Sequence, residues 1–200
     1  MSLHSPDLAA VPVSAAGALV LVVGPSGAGK DTLMEAGRAG LAGDPRFRFA
    51  RRLITRPAMA GAEDHDSCEE AAFRQAEARG ELALSWRAHG LSYGIPAAEL
   101  SGIAEGVVVI VNVSRAAIAA AERLAQRVVV LNITAPVSVL AQRLAARGRE
   151  SEADIAARLK REAPLTAERA EIVTIMNDRS VAEAAEELLA VLRALGRHGS

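Results

Sequence analysis

A run of seven residues has the types and the spacing that phosphate binding requires. The run is Gly24-Pro25-Ser26-Gly27-Ala28-Gly29-Lys30 and follows the G-x-x-x-x-G-K pattern. In such a loop, glycines let backbone N–H groups point at phosphate oxygens, and the lysine ammonium reaches the β- and γ-phosphates. An apolar run before it and a helical pattern after it disfavour the alternative, a glycine-rich turn that binds nothing. We therefore predict that this loop binds ATP.

The residue after the loop lysine departs from the usual pattern. A Ser or Thr hydroxyl normally binds Mg²⁺ at that place, whereas this chain has Asp31, followed by Thr32. A carboxylate is a hard oxygen ligand, so Asp31 is a candidate to hold Mg²⁺ directly or through water. The alternative is that its charge only stabilises the helix N-terminus. The expected ATP site includes both residues, and the expected cofactors are ATP and Mg²⁺.

Three arginines form a second candidate group. Arg143 and Arg147 are four residues apart and share one helix face, and Arg158 follows in the next helical stretch. Phosphoryl transfer needs charge compensation more than covalent chemistry from the protein, and arginines supply it. We predict that Lys30 and these arginines act on the transferring phosphoryl group. Two solvated helix faces are the alternative.

Short apolar runs and helical stretches alternate along the chain. Strands are predicted at Ala18–Val23, Phe49–Ile54, Val107–Val113, Val128–Ile133 and Ile172–Met176, all typical of a parallel sheet buried on both faces. Helices are predicted at Gly29–Leu41, Cys68–Arg79, Ser114–Leu124, Pro136–Arg147, Ser151–Ala163 and Val181–Leu195. This alternation predicts a three-layer α/β fold of the P-loop NTPase type with a five-stranded parallel sheet.

Residues 55–95 break the alternation. They contain an acidic patch (Glu63, Asp64, Asp66) and a strand-like segment at Leu82–Trp86, and we interpret them as part of an inserted subdomain that binds the acceptor. The prediction is one domain over residues 1–200. Its core comprises 18–51, 97–142 and 164–195, the acceptor subdomain lies near 52–96, and a helical lid lies near 143–163.

Composition narrows the function classes. Of 200 residues, 50 % are hydrophobic and the net charge is -1, which excludes a disordered or collagen-like chain and disfavours binding to nucleic acid or anionic membranes. Cys68 is the only cysteine, so an internal disulfide is excluded and a reducing cytoplasm is expected. The apolar stretch that ends at Val23 is far shorter than the roughly 20 residues of a membrane span. No feature indicates an oligomeric state, and the expected partners are small-molecule substrates.

Together these segments resemble the guanylate kinase family. The resemblance covers residues 18–195 and rests on the phosphate loop, Thr55-Arg56, Tyr93-Gly94 and the R-L-x-x-R-G segment that begins at Arg143. It implies a kinase in which Arg56 and Tyr93 hold the acceptor's phosphate. It also implies that Asn177 belongs to the adenine-side loop, for which a simple turn is the alternative.

The residues by which that family reads guanine are missing. Met59 replaces the second phosphate-binding arginine, while Arg52 and Ile95 stand where a serine and a threonine are expected. The glutamate of the segment before Tyr93 is also absent. A site built to hydrogen-bond a base cannot lose those partners and still discriminate well, so GMP is not the expected acceptor.

Other segments are similar to the ribose 1,5-bisphosphate phosphokinase (PhnN) family of phosphonate catabolism. They are Lys30-Asp31, Gly61-x-Glu63-x-His65, Leu84-Ser85-Trp86-x-Ala88-x-Gly90-Leu91-x-Tyr93-Gly94, Val111-Asn112-x-Ser114-Arg115 and Arg147-Gly148-Arg149-Glu150. This resemblance implies transfer of the ATP γ-phosphoryl group to ribose 1,5-bisphosphate, which yields 5-phospho-D-ribosyl 1-diphosphate. A guanylate kinase is the enzymatic alternative. A non-catalytic protein-binding module is the other, although the chain keeps Lys30 and its arginines.

An acceptor with two phosphates and no base needs cations rather than base-edge partners. The candidate substrate-binding residues are Arg52, Arg56, Tyr93, Asn112, Ser114 and Arg115. We hypothesise that Arg52 holds the 5-phosphate and that Arg56 and Tyr93 hold the 1-phosphate, unless Arg52 pairs with the acidic patch. Asn112 and Ser114 follow a strand at the sheet edge where ligands bind and are candidates to orient ribose hydroxyls. Ser114 as a helix cap is equally open, and Arg115 is a further candidate phosphate contact.

Overall fold

The computed structural model describes residues 17–56, 65–146 and 164–197. The strands are β1 (Ala18–Val23), β2 (Phe47–Phe49), β3 (Arg52–Ile54), β4 (His65–Ser67), β5 (Leu82–Ala88), β6 (Leu91–Pro96), β7 (Val108–Asn112), β8 (Val128–Thr134) and β9 (Glu171–Met176). Five of them form one sheet in the order β2-β7-β1-β8-β9. Every pairing in this sheet is parallel, so the predicted five-stranded parallel sheet is confirmed.

The central strand β1 is buried on both faces because side chains alternate along a strand. Val20 and Val22 belong to one hydrophobic cluster, and Leu19 and Leu21 belong to a second cluster on the opposite face. All six residues of β1 are buried. This two-sided burial explains the continuous apolar run, which a strand with one solvated face would not show.

Helices complete three layers. They are α1 (Lys30–Gly40), α2 (Glu70–Ala78), α3 (Ile118–Ala121), α4 (Val137–Ala145) and α5 (Val181–Arg197), with 3₁₀ turns at Ala97–Leu100 and Arg115–Ala117. Side chains of α1, α4 and α5 enter the first cluster, while α3 and the second sheet enter the second cluster. The predicted three-layer α/β fold is confirmed. Within the described ranges, no helix is long and apolar enough to cross a lipid bilayer.

The predicted single strand Phe49–Ile54 is wrong, because the chain changes sheets within it. Ala50 N–H still bonds the Ile110 carbonyl at 2.9 Å, but Arg51 N–H donates instead to the Glu99 carboxylate at 3.0 Å. Strand β3 then pairs with β4 and β6. A run of apolar residues and arginines does not indicate which strands it pairs with, so the sequence did not predict the change of sheet.

The second sheet has the order β4-β3-β6-β5. Its β5–β6 hairpin turns at His89 and Gly90, whose φ angles of 52° and 74° suit a two-residue type I′ turn. The predicted strand at Leu82–Trp86 is confirmed and continues to Ala88, whereas β4 and β6 were not predicted. The division of the chain into core, acceptor subdomain and lid stays a prediction.

The predicted helix Ser114–Leu124 is shorter than expected. A 3₁₀ turn comes first, and the α-helix α3 has only four residues. The Ser114 hydroxyl accepts a hydrogen bond from Ala116 N–H at 3.3 Å, so its capping role is confirmed. The predicted helix Ser151–Ala163 lies outside the described residues.

A buried carboxylate joins α3 to the segment that leads into β9. The carboxylate of Glu122 accepts hydrogen bonds from the backbone N–H groups of Glu168, Arg169 and Ala170 at 3.0, 2.8 and 2.7 Å. The Arg169 guanidinium also donates to the Glu122 backbone carbonyl. Burial raises the pKa of the Glu122 carboxyl, but these donors and the Arg169 charge outweigh burial and hold the pKa below its usual value.

We predict that Glu122→Ala lowers the free energy of unfolding by about 2 kcal/mol, because it leaves buried backbone donors without an acceptor. Urea denaturation measures this loss, and Glu186→Ala, at an exposed position of α5, serves as the control. Since the native pKa is lowered, the stabilisation is present above the usual carboxyl pKa. It is lost as the pH falls through the native value, so the two stability curves should converge in acid. Equal stability at neutral pH would contradict the anchoring role.

Candidate active site

The phosphate loop lies between β1 and α1, as the sequence predicts. Two of its positions accept only glycine. At Gly24, with a φ of 148°, a Cβ would lie 1.9 Å from the Ile133 carbonyl oxygen. At Gly29, with a φ of 84°, a Cβ would lie 2.5 Å from Asn177 Nδ2. The loop is therefore pressed between β8 and the segment after β9, and side chains are excluded at both contacts.

Lys30 folds back over this loop. Its Nζ donates to the backbone carbonyls of Gly24 at 2.7 Å and Pro25 at 3.0 Å. The ammonium group is half-buried and lies at the mouth of the loop. A phosphate that enters the loop would replace these carbonyls as the acceptor for the Lys30 ammonium. The positive charge of Lys30 already lies beside the loop.

Asn177 braces the phosphate loop through a hydrogen bond to the loop backbone. Its Nδ2 donates to the Ala28 carbonyl at 2.7 Å, and its backbone N–H donates to the Thr134 carbonyl at 2.7 Å. Asn177 is 3 % exposed, and within the described ranges its buried Oδ1 has no hydrogen-bond partner. The structure thus shows a contact with the loop backbone that the sequence did not reveal, and a contact with ATP stays a prediction.

One of the three predicted arginines is described, and it lies beside the loop. Arg143, in the last turn of α4, directs Nη1 to the Gly27 carbonyl at 3.5 Å. Buried Leu140 and Leu144 of the same helix hold it against the core. Arg147 and Arg158 lie outside the described residues.

A hydrogen bond links the start of α1 to the end of β7. Asn112 Nδ2 donates to Asp31 Oδ1 at 3.2 Å. Asn112 is 5 % exposed, whereas Asp31 and Thr32 are exposed. A carboxylate beside the loop can serve as an oxygen ligand for a divalent cation. In the part of the chain that the structure describes, no three His, Cys, Asp or Glu side chains gather into a metal site.

Arg52 lies buried between the two sheets. It is 9 % exposed, and its Nη1 points to the Asn112 backbone carbonyl at 3.4 Å. Its guanidinium carbon lies 5.8 Å from the centroid of the Tyr93 ring, a cation–π distance. Of the acidic patch, Asp66 pairs with the neighbouring Arg51 at 2.7 Å. Glu63 and Asp64 lie outside the described residues, as does Met59.

An apolar face surrounds Tyr93. The Tyr93 and Trp86 rings are cross-strand neighbours and stack with centroids 5.4 Å apart at an interplanar angle of 6°. Leu84 and Ile95 are also paired across β5 and β6, and both are buried in the second hydrophobic cluster. The aliphatic side chains of Leu84 and Ile95 have no group that could hydrogen-bond the polar edge of a base. The sequence did not predict that Trp86 stacks on Tyr93.

Arg56 lies in a different environment from Arg52. It lines a cavity of about 790 Å³, and among the described residues its buried Nε has no hydrogen-bond partner. The other described residues that line this cavity are Thr55, Ser67, Cys68, Glu69, Glu70, Arg74, Arg87, Gly90, Leu91 and Ser92. Tyr93 and Arg52 are not among the described lining residues of this cavity. The shared role of Arg56 and Tyr93 stays a prediction.

Arg115 reaches the end of the neighbouring strand. Its Nη2 lies 3.5 Å from Asn132 Oδ1, and Asn132 Nδ2 donates to the Thr174 hydroxyl at 3.3 Å. Asn132 is 7 % exposed and lies within the apolar run of β8, between Leu131 and Ile133. Buried amides at the carboxyl ends of β7 and β8 lie where doubly wound sheets bind ligands. The sequence analysis missed Asn132, although a polar residue inside an apolar run was a visible signal.

Comparison with curated proteins finds close relatives. The ribose 1,5-bisphosphate phosphokinase PhnN of Methylobacterium radiotolerans is 55 % identical over 178 residues, which cover 89 % of this chain and 98 % of that protein. The protein of the same name from Brucella melitensis is 51 % identical over 173 residues, with 86 % and 90 % covered. No protein-family model matches the chain.

Among solved structures, a guanylate kinase from Anaplasma phagocytophilum superimposes with a TM-score of 0.67. The match covers 90 % of this chain and 86 % of that chain at 19 % identity. At this identity the likeness shows the fold alone, and it agrees with the guanylate kinase-like resemblance drawn from the sequence.

We predict that Asn177→Ala weakens nucleotide binding about 10-fold, because the loop loses a buried hydrogen bond worth about 1 kcal/mol and part of its preorganisation. Isothermal titration with ADP measures the dissociation constant. Asp178→Ala, at the adjacent exposed position, is the matched control and should bind as wild type does. Unchanged ADP affinity in Asn177→Ala would contradict the bracing role.

Proposed function

The chain belongs to the PhnN family of ribose 1,5-bisphosphate phosphokinases, and we propose that it phosphorylates ribose 1,5-bisphosphate with ATP. The products are 5-phospho-D-ribosyl 1-diphosphate and ADP. One observation supports this proposal beyond the family name: the buried Arg52 lies beside the carboxyl end of β7 and within cation–π distance of Tyr93, whose ring stacks on Trp86. That arrangement suits an acceptor with phosphates and without a base.

On the donor side, the loop backbone and Lys30 would bind the ATP phosphates, with Thr32 and Asn177 at its edges. Asp31 fits a Mg²⁺ ligand because its exposed carboxylate is an oxygen donor at the end of the loop. Magnesium, when bound, neutralises charge on the β- and γ-phosphates. The chain's own contribution is to orient these phosphates with backbone N–H groups and a fixed cation.

The transfer itself needs positioning and charge. An oxygen of the acceptor's 1-phosphate forms a bond to the γ-phosphorus, the bond from that phosphorus to the β–γ bridging oxygen breaks, and ADP leaves. A phosphate oxygen is already ionised at neutral pH, so no general base is required. We assign charge stabilisation of the transferring group to Lys30 and Arg143, together with Arg147 and Arg158.

On the acceptor side, we assign Arg52 to the 5-phosphate and Arg56 with Tyr93 to the 1-phosphate. The burial of Arg52 supports this, because a cation held in a low-dielectric environment binds an anion more strongly than an exposed one. Asn112, Ser114 and Arg115 complete the proposed acceptor site at the end of β7. Of these, Ser114 also caps the 3₁₀ turn, so its hydroxyl already has one partner.

The proposed reaction divides the chain into working parts. The strands β3 to β6 support an acceptor subdomain near residues 52–96, and the phosphate loop belongs to the core. The lid proposed near residues 143–163 would carry Arg143, Arg147 and Arg158 to the phosphoryl group. In a reducing cytoplasm the lone Cys68 would stay a thiol.

The acceptor assignment is tested by ADP release from Mg·ATP with ribose 1,5-bisphosphate or GMP. We expect kcat/KM to favour the ribose bisphosphate by at least about 100-fold, because Leu84 and Ile95 leave a base without partners. Lys30→Met is the control that excludes a contaminating kinase, and it should lose turnover with both acceptors. Comparable turnover of GMP would overturn the proposal.

The role of Arg52 is tested by Arg52→Ser. We expect KM for ribose 1,5-bisphosphate to rise about 10- to 100-fold, since a charge-assisted contact is worth about 1.5–3 kcal/mol. If Arg52 holds the 5-phosphate, the variant should also discriminate less between ribose 1,5-bisphosphate and ribose 1-phosphate. Arg48→Ser, which removes an exposed arginine of β2, is the matched control. An unchanged KM would refute the assignment.

A further inference from the structure

We propose that Asn112 is a positioning residue that couples the acceptor site to the nucleotide site. The inference rests on the proposed function, because it requires an acceptor phosphate at Arg52. Among the described residues, only Asn112 shares a hydrogen bond with both Arg52 and Asp31. Its side chain therefore contacts the proposed nucleotide site, and its backbone carbonyl contacts the proposed acceptor site.

The two contacts leave Asn112 in different directions. The side-chain Nδ2 donates to Asp31 Oδ1 at 3.2 Å, in the first turn of α1. The backbone carbonyl accepts from Arg52 Nη1 at 3.4 Å, in β3 of the second sheet. A shift of Arg52 toward a phosphate therefore acts on the same residue that holds the carboxylate beside the phosphate loop.

Burial restricts the movement of both Asn112 and Arg52. Asn112 and Arg52 are 5 % and 9 % exposed, and Asn112 pairs in register with Val22 of the central strand. The next residue is fixed as well, since Val113 N–H donates to the Val22 carbonyl at 3.0 Å. Packed interiors change between discrete arrangements rather than deform continuously, so a ligand at one end biases the group at the other end.

The amide is the side chain that this link requires. An amide N–H donates to Asp31 Oδ1 without adding a charge of its own. Leucine has nearly the same size but no donor.

Coupling between two ligands is a measurable and reciprocal quantity. If Asn112 links the sites, a bound nucleotide raises the affinity for the acceptor by the same factor by which the acceptor raises affinity for the nucleotide. Trp86 is the only tryptophan of the chain and stacks on Tyr93, the ring next to Arg52. Its fluorescence therefore reports acceptor binding at equilibrium, without turnover.

The experiment compares two dissociation constants for ribose 1,5-bisphosphate. One is measured with the protein alone, and the other with saturating Mg²⁺ and a non-hydrolysable ATP analogue. For the wild type we expect the second to be about 5- to 150-fold smaller, the usual range of such coupling. For Asn112→Leu we expect a ratio close to one, and because Asn112 belongs to the proposed acceptor site, the affinity for the acceptor alone should fall as well.

Two further variants separate coupling from a general packing defect. Glu122→Ala removes a buried side-chain anchor between α3 and the segment that leads into β9, and it should keep the wild-type ratio. Asn112→Ala also removes the side-chain donor but fits in the same space, and it should likewise give a ratio close to one. This second variant tests the proposal if Asn112→Leu does not fold.

The outcomes discriminate between this inference and the proposed function. A wild type that phosphorylates ribose 1,5-bisphosphate with a ratio of one overturns the coupling alone. An Asn112→Leu variant that folds and retains the wild-type ratio also overturns it. A wild type that binds the nucleotide analogue but neither binds nor phosphorylates ribose 1,5-bisphosphate overturns the proposed function and the coupling together.

Discussion

The burial of the central strand β1 on both faces is the constraint on which the rest of the structure depends. Its flanking strands β7 and β8 complete its hydrogen bonds, and apolar layers cover both sides. After β1 the chain turns close to the Ile133 carbonyl. A side chain at Gly24 would collide with that carbonyl. The same geometry that packs the core therefore shapes the phosphate loop.

In the described part of the chain, three buried amides make hydrogen bonds near the edge of the core. Asn112, Asn132 and Asn177 lie at or just beyond the carboxyl ends of β7, β8 and β9, and all are at most 7 % exposed. Buried polar groups must be hydrogen-bonded, so each amide fixes a neighbour: a carboxylate, a threonine hydroxyl or the loop backbone. In the described part of the proposed site, these amides hold polar neighbours in place.

The proposed acceptor side combines a buried cation with apolar surface. There a single arginine is buried beside stacked rings, and apolar Leu84 and Ile95 occupy the paired positions on the same sheet. A cation next to aromatic and aliphatic surface favours an anionic ligand with few other polar groups. This combination supports the proposed sugar phosphate acceptor on a fold that a guanylate kinase shares.

The sequence by itself determined the phosphate loop, the five-stranded parallel sheet and the family, because each is written in a local pattern: a fixed spacing, a buried apolar run, a set of unusual segments. Only the tertiary structure decided where the chain changes sheets after Phe49, and that Asn177 braces the loop. Only it paired Arg51 with Asp66 and placed Arg52 against Tyr93. These outcomes depend on partners far away along the chain, and a local pattern carries no information about which distant group completes a hydrogen bond.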